Sequence, residues 1–155
     1  MSMGTWIELL GKSQDDPQVQ AALAAAGVRK VPKRDKDGLR VIFELKGHHL
    51  WLVMTDEAYQ KRLKDQDIGE GPLILTSVGA IINPDKPKGG YQGSFALGLV
   101  AGMTQDAVRR VLAKPSTVVD DVPADIWLRD GLKWNVTYTR ALQFKSLTLS
   151  LPRAA

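Results

Sequence analysis

The residues best equipped for chemistry are few, and they lie apart. His48 and His49 are the sole histidines and are adjacent. Neighbours in an extended segment point to opposite faces, so the pair does not converge on one metal ion, and a turn is its natural place. Carboxylates gather at Asp56-Glu57, Asp65/Asp67 and Asp120-Asp121-Asp125. Two acids at a fixed separation can perform general acid–base work on a sugar. Yet all three groups lie in polar stretches, where a solvated, idle acid is the usual state. No serine stands in the G-x-S-x-G setting of a nucleophile. The run "GGYQGS" lacks the G-K-[ST] ending of a phosphate-binding loop and leads into "FALGL", so it reads as a linker. The chain has no cysteine, which removes thiol nucleophiles, disulfides and thiolate zinc sites together.

The tryptophans say more. Trp6 reads as the core anchor of a short helix. Trp134 falls on the inward phase of a strand, with Trp127 beside it. Trp51 is out of phase with Leu50, Leu52 and Met54 and therefore belongs to the opposite face of its strand. Where that face is open, an aromatic side chain is a strong anchor for a partner. The stretch "VVDDVPADIW" combines apolar residues, acids and a proline, and reads as a stiff loop that presents a fixed shape.

The elements that must position these residues follow from periodicity and punctuation. Trp6, Leu9 and Leu10 form a short apolar face that stops at Gly11. Asp16 caps a second helix with Pro17 at its first position, and Val19, Ala22, Leu23 and Ala26 share one face before Gly27 closes it. After the Asp37-Gly38 turn, "LRVIFELKG" and "HLWLVMTD" alternate as two strands joined at Gly47. "PLILTSVGAII" is a third, with Gly79 as a bulge candidate. "NPDKPKGGYQGS" marks the internal boundary. Beyond it, Thr104 caps a helix whose Ala107, Val108, Val111 and Leu112 turn inward, and Pro115 stops it. "DIWLRD", "KWNVTYT" and "FKSLTLSLP" complete the chain as strands. Two units, 4–82 and 91–152, thus share one plan: a capped short helix, then about three antiparallel strands. The economical packing is one antiparallel sheet, or two abutting ones, with the helices on one face, an α+β fold.

A chain of 155 residues with 44% hydrophobic content fits one domain with a real interior. Its 21 basic and 17 acidic residues are dispersed, and the densest group, "RKVPKRDK", has no aromatic residue for base stacking. Nucleic acid is therefore not an expected partner. No apolar run is long enough to span a bilayer, and "MSMGTWIELLGKSQDD" lacks the features of a secretory leader. The expectation is a cytoplasmic protein without cofactor, metal or membrane.

"WIELLGKSQDDPQVQAALAAAG" resembles the opening of a broad group of small bacterial proteins with W-x-x-L-L-G-K followed by an acidic-Pro helix cap. "GGYQGSFALGLVAGMTQDAVRRVLAKPS" is similar to that group's second block, a G-Y-x-G-x-L-P-x-G-L turn and then G-M-[ST]-x-x-x-V-x-x-x-L-G-x-P. Gly11, Lys12, Gly98, Gly102, Met103, Thr104, Val108, Leu112 and Pro115 match. Ala96-Leu97 replaces the usual L-P, and "LAKP" replaces L-G-x-P. Many members look like immunity proteins for polymorphic or type VI secretion toxins. Their helix-plus-sheet unit is also similar to the repeats of β-lactamase-inhibitor proteins and small outer-membrane assembly lipoproteins. The resemblance implies a protein that binds a cognate toxin stoichiometrically and blocks its active site without turnover. The candidate contacts are Trp51, Asp120, Asp121 and Asp125. A different structural or regulatory interaction module is the first alternative, and a small hydrolytic enzyme the second.

Overall fold

The computed structural model describes residues 2–119 and 121–154. In chain order the elements are α1 (Met3–Glu8), α2 (Pro17–Ala25), β1 (Arg40–Leu45), β2 (Leu50–Asp56), α3 (Glu57–Lys61), β3 (Leu73–Ile81), α4 (Gln105–Leu112), β4 (Thr117–Val119), β5 (Ala124–Arg129), β6 (Leu132–Tyr138) and β7 (Phe144–Ser150). Among the described residues the strands form one seven-stranded antiparallel sheet in the order β1-β2-β3-β7-β6-β5-β4. The fold is α+β, and the sheet dominates. No helix among the described residues is long and apolar enough to cross a membrane.

Alternation along β1, the start of β2 and β6 makes this sheet two-faced, whereas β3 at its middle is buried from Leu73 to Ala80 on both phases. Val41, Phe43 and Leu45, then Leu50, Leu52 and Met54, then Trp134, Val136 and Tyr138 are buried. They form one continuous core with Met3 and Trp6 of α1, Val19 and Leu23 of α2, and Val108 and Leu112 of α4. The helices are held by their caps. Asp16 accepts from the Gln18 amide at 2.8 Å, and Thr104 Oγ1 from the Ala107 amide at 3.2 Å. On α4 the buried stripe is narrower than the periodicity suggests: Val111 faces solvent and Ala107 is only half-buried. Eight residues give little more than two turns, enough for two inward anchors.

The registers of the two halves repeat. Gly11-Lys12-Ser13 lies along the start of β3, with Gln14 N–H on Leu73 O and Leu75 N–H on Lys12 O. Gly102-Met103-Thr104 lies along the start of β7 in the same way, with Gln105 N–H on Leu142 O and Phe144 N–H on Met103 O. Both glycines need a positive φ, 90° and 91°, to turn the chain onto the sheet edge. The pairing of β2 with β3 shifts between Val53 and Met54, and that of β6 with β7 shifts at the corresponding place, between Thr137 and Tyr138. The extra residues are Thr76 and Lys145. Their carbonyls accept from Leu151 and Ile82 across the sheet at 2.8 and 2.7 Å. Strands β3 and β7 meet about their middle pair, Gly79 and Thr148, which lies on an approximate two-fold axis. Gly79 is therefore not the bulge its composition suggests. It is a close approach, since a Cβ there would sit 3.1 Å from Thr148 Oγ1.

The halves differ in one respect that bears on function. The β6–β7 connection is a tight turn, whereas the β2–β3 connection runs from Glu57 to Pro72 and includes α3. A segment expected as a stiff loop also changes character: Thr117–Val119 pairs with Ala124, Asp125 and Ile126 of β5 as the antiparallel strand β4.

Candidate functional site

The face of the sheet turned away from the core carries the candidate site. The registers place three rows across it. One runs Glu44, Trp51, Gly79, Thr148, Asn135, Ile126, Thr117; a second runs Ile42, Val53, Ser77, Ser150, Lys133, Leu128. The third runs Ile81, Ser146, Thr137, Ala124, Val119. Large apolar side chains stand open on this face: Ile42 is 59% exposed, Trp51 37%, Ile81 44% and Leu128 68%. The middle of the sheet is small and hydroxylated. Ser77 and Ser150 share a hydrogen bond at 2.9 Å, and Thr137 bonds Ser146. Opposite Trp51, Gly79 adds no side chain to the surface. The result is an apolar and hydroxyl surface with few formal charges, the composition of a protein-contact patch.

One corner of this face is walled. Helix α3 projects from the end of β2 because Asp56 caps it, accepting from the Tyr59 amide at 3.1 Å. Asp56 is buried, and Arg34 meets it at 3.0 Å while also donating to the carbonyls of Gly38, Gly69 and Gly71. Burial pushes the Asp56 carboxyl up, but the Tyr59 amide and the Arg34 guanidinium outweigh it, and the group ends below the ordinary carboxylate value. This cluster fixes the β2–β3 arm to the sheet. The chain end closes the other side. Gln60 Nε2 donates to Pro152 O at 3.2 Å, and the Arg153 guanidinium lies 3.7 Å from the centre of the Tyr59 ring.

The sequence-derived contact residues divide. Trp51 lies on the uncovered face. Asp121 is exposed in the β4–β5 turn, next to Val122. Asp120 lies outside the described residues. Asp125 departs from expectation and is corrected here: it is fully buried on the helix side of β5, out of reach of a partner. Its carboxylate takes a two-pronged bond from Arg109 of α4 at 2.8 and 2.7 Å and a third from the Tyr138 hydroxyl at 2.9 Å. That bond to Asp125 raises the Arg109 pKa. Burial, aided by the neighbouring carboxylate, drives the Tyr138 phenol well above its usual value. This trio ties α4 to β5 and β6.

His48 and His49 sit half-buried in the β1–β2 turn. No group of three or more metal-ligating side chains is assembled among the described residues. A cavity of about 910 Å³ beside α2 is lined by Leu23, Val28 and Val31, with Asp15 as its one described carboxylate. Sequence reasoning missed Ile42 and Val53 as members of the open face with Trp51, and Tyr59 and Arg153 as the wall at its corner. The outward phase of Ile42 and Val53 was readable from alternation, whereas the placement of Tyr59 and Arg153 depends on tertiary docking. No family model, no curated protein and no solved structure matches this chain.

Proposed function

We propose that the chain is a non-catalytic binding protein that docks a protein partner on the uncovered face of its sheet. The resemblance of its two sequence blocks to immunity proteins suggests the partner's class, a bacterial toxin held stoichiometrically with its active site occluded. The observation that carries the reading is Trp51, exposed near the start of β2 on the same face as Val53 and its cross-strand partner Ile42. A rigid antiparallel sheet presents such a patch with little ordering cost on binding. The net charge of +4 gives no reason to favour a nuclease partner, since blocking a basic nucleic-acid cleft calls for acidic groups. Co-expression with the adjacent reading frame tests the proposal. The expected result is growth rescue together with a co-purifying complex of fixed stoichiometry. Consumption of a metabolite by the purified chain, abolished by one polar substitution, contradicts it.

A further inference from the structure

The walled corner of the open face has a chemistry of its own. It holds a cavity of about 280 Å³ whose lining includes Arg40, Thr55, Gln60, Thr76, Ser77 and Arg153. Four of these are polar residues that the fold buries, Thr55, Gln60, Thr76 and Ser77. Burying so many polar groups beside one another is costly unless each is satisfied. Thr55 and Thr76 pair at 2.7 Å, Ser77 pairs with Ser150, and Gln60 holds the chain end. The floor is therefore an ordered bed of hydroxyls, built where the bulge at Thr76 turns an extra side chain toward it. Its walls are cationic. Among the described residues, neither Arg40 nor Arg153 forms an ion pair with a carboxylate. Arg40 acts on exposed Asp37 only through space, and Arg153 is held by the Tyr59 ring and the Tyr59 carbonyl. The β6–β7 connection of the second half has no such arm, so the cavity belongs to an insertion found in the first half alone.

Resting on the docking face proposed above, we infer that this notch receives a carboxylate side chain of the protein partner, an Asp or Glu bordered by apolar residues. The guanidinium groups would grip the carboxylate oxygens. The Ser77–Ser150 pair, which keeps one hydroxyl proton free of its mutual bond, would donate one further hydrogen bond, whereas the Thr55 and Thr76 protons are spent on Thr76 and the Val53 carbonyl. The adjoining Val53 and Ile42 would meet the apolar neighbours of that acid. Two unpaired cations beside an open, ordered polar bed suit a single anionic group better than an apolar anchor, and the positive net charge of the chain acts in the same sense.

The test needs no identified partner. The ¹⁵N-labelled full chain is titrated with N-acetyl-glutamate methylamide, with its glutamine analogue and with inorganic phosphate, following the amides of Thr55, Ser77 and Ser150. Saturable shifts are expected for the glutamate probe in the millimolar range, about 1–10 mM, as suits one charge-assisted contact. They should be absent for glutamine. Arg153→Gln and, separately, Arg40→Gln should each weaken them at least about fivefold while the rest of the spectrum stays folded. Equal shifts with glutamine, no saturation for the glutamate probe, or tighter binding of phosphate would each overturn the inference. Any of these leaves the docking face standing if Trp51→Ala weakens binding of the co-expressed partner about 30-fold or more, so the two proposals fail separately.

Discussion

Asp125 and Trp51 show opposite fates for residues that a sequence presents as equals. The outward phase of Trp51 follows from its neighbours, because side chains alternate in a strand whatever the fold around it. Asp125 also alternates, but its inward phase turns on a partner sixteen positions back, Arg109, that no local pattern reveals. Removing this acid leaves a part-buried guanidinium and a buried phenol without their acceptor. Asp125→Ala should therefore lower unfolding stability by about 3 kcal/mol, the low end for a broken buried pair because Arg109 keeps 33% of its side chain exposed. Urea denaturation at neutral pH checks the figure. Asp56 supplies a pH test. Its folded pKa lies below the unfolded value, so its contribution is present above about pH 4 and is lost as pH falls through the folded pKa. The stability gap between the native chain and Asp56→Asn should accordingly narrow as pH is lowered from 6 toward 3. A gap that stays constant or widens would refute the assigned role of Asp56.

Elements were legible wherever periodicity and punctuation agreed. Strands β1, β2, β5, β6 and β7 and the capped helices α2 and α4 follow from alternation, from Asp16-Pro17 and from Thr104. Strand β4 escaped because three residues carry no period of their own; it exists only because β5 pairs with it. The bulges escaped for a different reason. Thr76 and Lys145 are ordinary strand residues, and what makes them bulge is the register demanded by the flanking segments, not their chemistry. The caps are more local and can be tested locally. Thr104→Ala removes the acceptor of the Ala107 amide at the start of α4 and should cost about 1 kcal/mol of stability. A change below a few tenths in thermal or urea unfolding would show that the bridge between Thr104 and Gln143 holds the helix without its cap.

At the scale of the whole molecule, the halves join through β3 and β7 and share one core, which the order of elements along the chain does not reveal. Strands distant in sequence pair there, so the join is a long-range contact with no local signature. Trp6 in the first half and Trp127 and Trp134 in the second all enter that core. Fluorescence and far-ultraviolet dichroism should therefore report one coincident unfolding transition, and separate midpoints would mean that the halves fold apart. The same continuity gives the uncovered face its rigidity, and that face is the centre of the functional account. The most direct measurement is the dissociation constant of the purified complex with the co-expressed partner, compared for the native chain, Trp51→Ala and Arg110→Ala on the solvent side of α4. The account predicts a loss of about 30-fold or more for Trp51→Ala, the mark of a central anchor, and less than about twofold for Arg110→Ala. Native affinity in Trp51→Ala together with a large loss in Arg110→Ala would place the partner on the helices and contradict it.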